Sequence, residues 1–564
     1  MHLRTKRIGN QPYLYAVDTY WNAGNPKVAF QTYLGRADQL FGPAAKPLVR
    51  TFRYGAVAVL LQIARQLDVV ATIDSVVGSR SNPSVGEYLL LAALNRAAGD
   101  PCSKRAFADW YEHTSLKRLL PVPAAQLTSQ RFWDAMDQVN ATAVEQAFHR
   151  IAKRAVEVLE VHDSVVAFDT TNFFTYIASD NSRPRLPQRG HSKAKRHDLR
   201  QVGLALAVTQ RDQLPLFQHI YAGNDNDVTV FDAVFPRLLE ELSDFGQGPL
   251  TWVYDGGNVS ARNQRRVEAA VAKGQLGYVT SISPSAYPEL LAVPVEEMTP
   301  VDATLYPELA GTRTLSMARR RWQCDVQLVM SYSPEFAEGQ LNGVLQHRAK
   351  ALPKLQALQA ALRRRTAHSR GRKPTLESVR RRVDRILAAQ HLRHLLPTQV
   401  VERDGLVQLE FQVDEAHLEH LRAHLFGRRL WVTPHLDWPP PKVVQTAHQQ
   451  SSAEAVFRQL QDPDHAAWQP MYHWTDQKIR VHGLYCLIAL LLVQSLRLLA
   501  HRAGDPRHVD VVLADLETID ECLVVPKLRT PDERPHLETS LSVCSTTQRR
   551  LLGLVGLSAG VAAA

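Results

Sequence analysis

The first pattern along the chain is a pair of strand-forming apolar runs. Residues 12–21 (PYLYAVDTYW) and 28–35 (VAFQTYLG) are β-branched and aromatic runs split by the turn-forming NAGNPK. They predict a β-meander within a first segment, residues 1–50. From 51 to about 160 the period lengthens to that of a helix. Leu60, Leu61, Ala64 and Leu67 share one face, and SVGEYLLLAALNRAAG (84–99) starts on a Ser cap and ends near a Gly. Residues 129–159 add at least one more helix. A helical module carrying exposed Arg and Lys reads equally as a DNA-binding domain and as a plain scaffold.

Beyond 160 the two periods interleave. DSVVAFDTTNFFTY (163–176) holds an apolar strand, 164–169, that delivers Asp169 to its end. QVGLALAVT (201–209), read as an alternating strand, and QLPLFQHIYAG (213–223) form an antiparallel hairpin through Arg-Asp-Gln. NDND (224–227) caps an amphipathic helix with apolar residues at 228, 231, 234, 235, 238, 239 and 242, which Gly246 stops. PLTWVYDGG (249–257) is a strand ending in Asp255; a helix near 260–273 and the strand LGYVTSI (276–282) follow. The order β-β-β-α-β-α-β is the ribonuclease-H-like arrangement, in which the first and fourth strands are neighbours. That arrangement would bring Asp169 and Asp255 together.

After 283 the alternation fails for about 160 residues, although RRRWQCDVQLVMSYS and LVQLEFQVD read as strands. At DWPPPKVV (437–444) composition shifts back. SSAEAVFRQLQD (451–462) reads as a short helix with a Ser cap and Glu454 in its first turns. YHWTDQKIRVHGLYCLIALLL (472–492) reads as a buried apolar helix, whose most apolar stretch (483–496) is too short to span a bilayer.

The length of 564 residues allows three to four domains of ordinary globular composition: 45% hydrophobic, 22% charged, 7% aromatic. The expected segments are 1–50, 51–160, 161–283, an insertion over 284–444, 445–512, and a C-terminal tail, 513–564. Five scattered cysteines without a C-x-x-C pair argue against a zinc ribbon or a disulfide framework and fit a reducing compartment. The basic N-terminus lacks the apolar region of a signal peptide, so a soluble cytoplasmic protein without a membrane partner is expected.

The net charge of +10 changes the picture more, because it favours a polyanionic partner, nucleic acid before membrane. Residues 346–395 hold fourteen Lys or Arg against Glu377 and Asp384, a net +12, so the rest of the chain is about −2. Arg363, Arg364, Arg365, Arg380, Arg381 and Arg382 are the core of this segment. Leucines at helical spacing, interrupted by SRGRKP, predict a basic helical hairpin; a merely solvated helical face is the competing reading.

Two strand-end aspartates and one carboxylate from a later helix would suit hard divalent cations, and paired ions are a recurrent device for phosphodiester transfer. FDTTNFFTY with GHSKAKRHDLRQVGLAL, then GNDND, YDGGN and AEAVFRQL…PMYHWTDQKIRVH, resemble DDE transposases of bacterial insertion sequences. The likeness is narrower still to the insertion-sequence-four superfamily, in the branch with a Tyr-His-Trp-type motif before the last helix. It covers most of the chain, and its motifs occur in the right order. The resemblance implies an α/β multidomain fold whose ribonuclease-H-like catalytic core is interrupted by a large mixed β/α insertion, with an N-terminal β-meander and a helical DNA-binding module. It also implies Asp169, Asp255 and Glu454 as the catalytic, metal-binding triad, two Mg2+ ions (Mn2+ substituting), and cut-and-paste transposition of double-stranded DNA. The partners expected are element ends, target DNA and a second copy of the chain in the DNA complex, at the bacterial nucleoid.

The chain departs from that pattern in three places. The superfamily carries Tyr seven residues before the Glu, Arg four before and Lys seven after; here Ala447, Gln450 and Gln461 stand there. Arg458, Lys478 and Arg480 are the candidates to compensate. Lys193, Lys195, Arg196 and Arg200, between the first two strands, are either phosphate contacts or a solvated loop. His473 and His482 read as satisfied core histidines, and Trp431 and Trp438 as buried rings sooner than as stacking partners for a flipped base. A ribonuclease-H-like nuclease that cuts without joining and a catalytically silent, domesticated DNA-binding transposase are the competing functions. An aspartyl-phosphate phosphatase is excluded, because Thr171 stands where that chemistry needs a second Asp.

Overall fold

The computed structural model describes the chain apart from residues 10, 23–24, 40–46, 100, 179, 191–195, 246–247, 322–323, 366–373, 449, 463–465, 470, 529–534 and 559–564. The protein is a mixed α/β chain with several sheets, divided into two compact units: residues 1–250 with 450–564, and residues 251–449.

In the first unit, strands His2–Ile8, Gln11–Asn22 and Asn25–Arg36 form an antiparallel meander. Its alternation buries Leu3, Leu14, Ala16, Phe30 and Leu34 in one cluster with Phe52, Leu523, Val525, Leu528 and Leu537. Residues 513–564, expected as a tail, therefore carry structure. Strand Asp520–Val525 pairs on one side with Leu48–Arg53 and on the other with Thr539–Leu541.

The helical stretch forms as its periodicity predicts. Helix Val85–Ala97 starts at Ser84, whose hydroxyl accepts from Glu87 N while the Glu87 carboxylate accepts from Ser84 N, a capping box. Helices Gly55–Gln66, Val85–Ala97, Ser129–Asp137 and Ala141–Val158 all pack on helix Asp476–Arg502. That helix has 27 residues and a mean hydropathy of 1.9, so by length it could cross a membrane, contrary to the count made from 483–496 alone. It is instead a core element, with 89% of its apolar window buried. Among the described residues it is the one unbroken helix of that length and apolarity.

The central sheet of this unit is Val165–Thr175, Arg200–Thr209 and Pro215–Ala222, all antiparallel. The middle strand, expected to alternate, is buried on both faces because helices cover the sheet. Ser451–Gln461 packs on the first two strands; Ala141–Val158, Asp227–Ser243 and Asp476–Arg502 pack on the third. Gly203 is required in it, since a Cβ there would lie 2.1 Å from the Tyr221 ring. Helix Asp227–Ser243 is capped by Asn226, whose carboxamide oxygen accepts from Thr229 N; its expected stop at Gly246 lies outside the described residues.

The second unit begins within strand Leu250–Tyr254. Its strands run in the order Thr299–Pro300, Arg313–Arg321, Cys324–Tyr332, Arg428–Thr433, Leu276–Ile282, Leu250–Tyr254. Helix Pro440–His448 packs across four of them. Helix Pro334–Arg363 leaves this sheet and meets helix Leu376–Ile386. Leu355, Leu358 and Leu362 of the first share a buried seam with Val379, Val383 and Leu387 at the second, backed by Val407 and Leu409 of the hairpin Thr398–Arg403/Leu406–Phe411. The paired basic helices expected over 346–395 are thus present, and most of SRGRKP lies outside the described residues.

Candidate functional site

Asp169 does not end its strand. Thr170, Thr171, Asn172, Phe173, Phe174 and Thr175 continue the ladder against Arg200–Ala205, so the carboxylate sits mid-strand, opposite Leu206. The polar triplet after Asp169 reads as a loop, yet Thr and Phe favour extended backbone and their pairing partners are in place. Asp169 is half-buried, and one carboxylate oxygen accepts from Thr170 N at 2.8 Å.

Strand alternation then assigns the two faces. Phe168 meets Phe231 edge-on, and Thr170 Oγ1 donates to Asp227 Oδ1 at 2.7 Å, so that face looks toward helix Asp227–Ser243. Asp169 shares the other face with Phe173, whose ring stacks on Trp468 (4.8 Å, 11°). Trp468 N donates to Leu460 O, which ties it to helix Ser451–Gln461. This helix packs on the strand that carries Asp169.

That helix starts differently from expectation. Gln450, in helical geometry, takes the N-cap position and makes no side-chain cap, so the Ser cap is absent. Ala453, Val456, Phe457 and Leu460 are buried, which leaves Glu454 in the first turn and Arg458 one turn on exposed. Neither side chain has a hydrogen-bond or ion-pair partner among the described residues. Negative charge in a first turn is favoured by the helix dipole.

Asp255 belongs to the second unit and directly follows strand Leu250–Tyr254. It is exposed; Oδ1 accepts from Gly256 N at 2.8 Å and from Ser281 Oγ at 3.0 Å, and its other oxygen has no hydrogen-bond partner among the described residues. Arg429 stands in its field: burial lowers the guanidinium pKa and Asp255 opposes that shift. Sequence reasoning missed Ser281 and Arg429, and no local motif marks either one.

Asp169 and Glu454 thus lie in the first unit and Asp255 in the second. Among the described residues no group of three or more His, Cys, Asp or Glu forms a ready-made metal cage. The donor chemistry nonetheless suits a hard divalent cation, because the three groups are carboxylates with surface access.

The basic candidates separate by partner. Lys193 and Lys195 lie outside the described residues. Arg196 is paired with Asp198 at 2.8 Å, which holds that carboxyl down to about 2, and Arg200 donates to Asn181 O. Lys478 is paired with Asp137 at 3.0 Å, and Arg480 is half-buried, its pKa lowered by burial against the pull of Asp476. Arg363, Arg364, Arg380, Arg381 and Arg382 are exposed and Arg365 half-buried; Arg381 lies 3.4 Å from Glu377 across one helical turn.

His473 and His482 are buried, as expected of core histidines. His482 Nε2 donates to Trp468 O, and its Nδ1 accepts from the Tyr485 hydroxyl. Trp431 is buried and donates to Ser331 Oγ, whereas Trp438 is half-buried, stacked on His435 at 4.0 Å.

No protein-family profile matches the chain, and no curated protein sequence does. Among solved structures, a cryo-EM structure of a piggyBac transposase synaptic complex with hairpin DNA aligns over 83% of this chain and 82% of its own. The TM-score is 0.39 and the identity 9%, a likeness too slight to bear on function.

Proposed function

We propose that the chain is a DNA transposase of the insertion-sequence type it resembles. In this reading a ribonuclease-H-like core binds terminal inverted repeats, frees 3′-hydroxyl ends and joins them to target DNA. The observation that carries the proposal is on the first unit's sheet. Glu454, exposed and without a partner among the described residues, stands on the helix packed against the strand of Asp169, and Asp169 shares a face with the ring that meets Trp468. An exposed first-turn carboxylate on the helix packed against the strand of Asp169 is open to a hard cation.

Asp169, Asp255 and Glu454 would hold two divalent cations, Mg2+ or Mn2+. Such ions, when bound, stabilise charge on the attacking and leaving oxygens of a phosphodiester. The chain's own part is positional. Arg458 stands one helical turn from Glu454 and takes the phosphate-facing role of the missing Arg and Lys. The +12 helical pair holds flanking DNA by its backbone. A second copy of the chain is expected in the DNA complex.

The test compares the full chain and Asp169→Asn on DNA bearing the repeats that flank the gene, reading retardation and nicking separately. Retained binding with nicking lost in the variant is expected, a loss of several kcal/mol of transition-state stabilisation. Normal nicking by the variant would refute the carboxylate assignment. Binding without nicking by the wild type, with either metal, would favour the silent DNA-binding protein that Gln450 and Gln461 suggest.

A further inference from the structure

The first unit contains a cavity of about 750 Å3, unused by the reading above. Small-molecule sites occupy roughly 300–1,000 Å3. It is walled by the end of helix Val85–Ala97, the loop 101–105, helix Ser129–Asp137 and the segment 472–485.

Its floor is positive and uncompensated. Arg96 is 9% exposed; its guanidinium donates to Ala467 O and Gln469 O, and it has no carboxylate partner among the described residues. Lys104 Nζ lies 3.2 Å from Tyr485 Oη and 3.3 Å from His473 Nε2, both uncharged partners. Burial first, then repulsion from Arg96, holds the Lys104 pKa down to about 8, and burial holds His473 down to about 3. The hydrogen bonds fix the order of donation. His482 Nε2 gives its proton to Trp468 O, the Tyr485 hydroxyl gives to His482 Nδ1, and Lys104 gives to Tyr485 and His473. An ammonium has three N–H groups, so one remains for a ligand. Among the described residues lining the cavity there is no Asp or Glu. Arg96 is buried and Lys104 half-buried beside it, neither with a carboxylate partner among the described residues, and an anion offsets the cost of that pairing.

Its rim is aromatic. Trp133, Tyr472 and Trp474 are 40%, 73% and 47% exposed, large rings that a folded chain ordinarily covers. One side of Trp474 is met by the Arg183 guanidinium, 5.1 Å away.

We infer that this cavity binds a nucleoside 5′-monophosphate group, with the phosphate dianion on Arg96 and Lys104 and the base against the Trp133 and Trp474 rings. Arg105 and Lys478 also line the cavity, the second paired with Asp137, and the two floor cations Arg96 and Lys104 match a monoester dianion better than the single charge of a chain-internal phosphodiester. Rings beside a cationic groove are how nucleic-acid proteins hold unpaired bases. The same group occurs on a free mononucleotide and on the 5′-phosphorylated end of a DNA strand.

The experiment uses the full chain and equilibrium titration with four probes: dAMP, deoxyadenosine, a 5′-phosphorylated trinucleotide and its 5′-hydroxyl counterpart. Each phosphorylated probe should bind at least tenfold more tightly than its partner. Lys104→Gln should bring that ratio close to one, and Lys104→Arg should keep it. Trp133→Ala and Trp474→Ala, both at exposed positions, should weaken both members of a pair about equally, roughly tenfold for Trp133. A phosphorylated trinucleotide that outbinds dAMP marks a strand end as the occupant, and the reverse order marks a free nucleotide. Equal binding with and without phosphate, a ratio untouched by Lys104→Gln, binding unaffected by both rim variants, or no binding by any probe overturns the site. None of these outcomes depends on strand cleavage, so failure here and failure of the transposase reading are separate results.

Discussion

Replacing Glu268 with Gln should stabilise the second unit, and only above acidic pH. Glu268 lies on helix Ala261–Ala272, the helix that follows Asp255, and is 3% exposed. Neither carboxylate oxygen has a well-formed hydrogen bond among the described residues, and Gln264 is the nearby polar group that acts on it. Burial pushes its pKa up to about 7, while Gln264 and then Arg321 pull the other way. The folded chain therefore keeps this proton up to about pH 7, whereas the unfolded chain releases it near 4.5. Between those values the folded state binds more protons, so its stability is fully present below 4.5 and falls as pH rises through the window. At 1.36 kcal/mol per pKa unit the wild type loses about 3 kcal/mol by pH 8. The amide is neutral throughout and escapes that loss. Thermal unfolding of wild type and Glu268→Gln at pH 5 and pH 8 reads the effect. For a unit of roughly 200 residues the gap in Tm should widen by about 5–10 °C between the two conditions. A constant offset of either sign, the same at both pH values, would show that Glu268 does not titrate in this window and would refute the reasoning.

Two further outcomes are expected. Replacing Arg380, Arg381 and Arg382 with Ala should weaken specific and random DNA about equally and flatten the slope of log K against log salt by up to about 3; a collapse confined to specific DNA at unchanged slope would make the segment a base reader. Gly203→Ala should cost about 1–3 kcal/mol in urea unfolding, because its Cβ meets the Tyr221 ring, and an unchanged midpoint would show that the ring moves aside freely.

Where local physics dominates, the sequence is a good guide. The β-branched and aromatic runs over 12–21 and 28–35, the Ser84 cap and the cap within 224–227 all place elements that the structure contains. Where neighbours decide, it misleads. Thr170-Thr171-Asn172 reads as a loop in isolation and becomes ladder because residues 203–205 lie beside it. Residues 201–209 read as half-exposed, since no pattern announces that both faces will be covered. Gln450 displaces the obvious serine as cap. The candidate carboxylates stand out as candidates because they sit in short motifs. The cavity was not, because Lys104 and His473 are 369 residues apart and only folding joins them.

The same long separation governs how the chain is made. Helices Gly55–Gln66, Val85–Ala97 and Ala141–Val158 have their apolar faces covered by Asp476–Arg502, which is synthesised about 300 residues after the last of them. At roughly 5–20 residues per second a ribosome needs on the order of 15–60 s to cross that gap. During this time those faces have no covering helix. The nascent chain is then a substrate for holding chaperones, and it is most prone to aggregate in this interval. Translation that stalls inside the second unit lengthens the exposure, so synonymous codons there bear on the yield of folded first unit although they encode none of it.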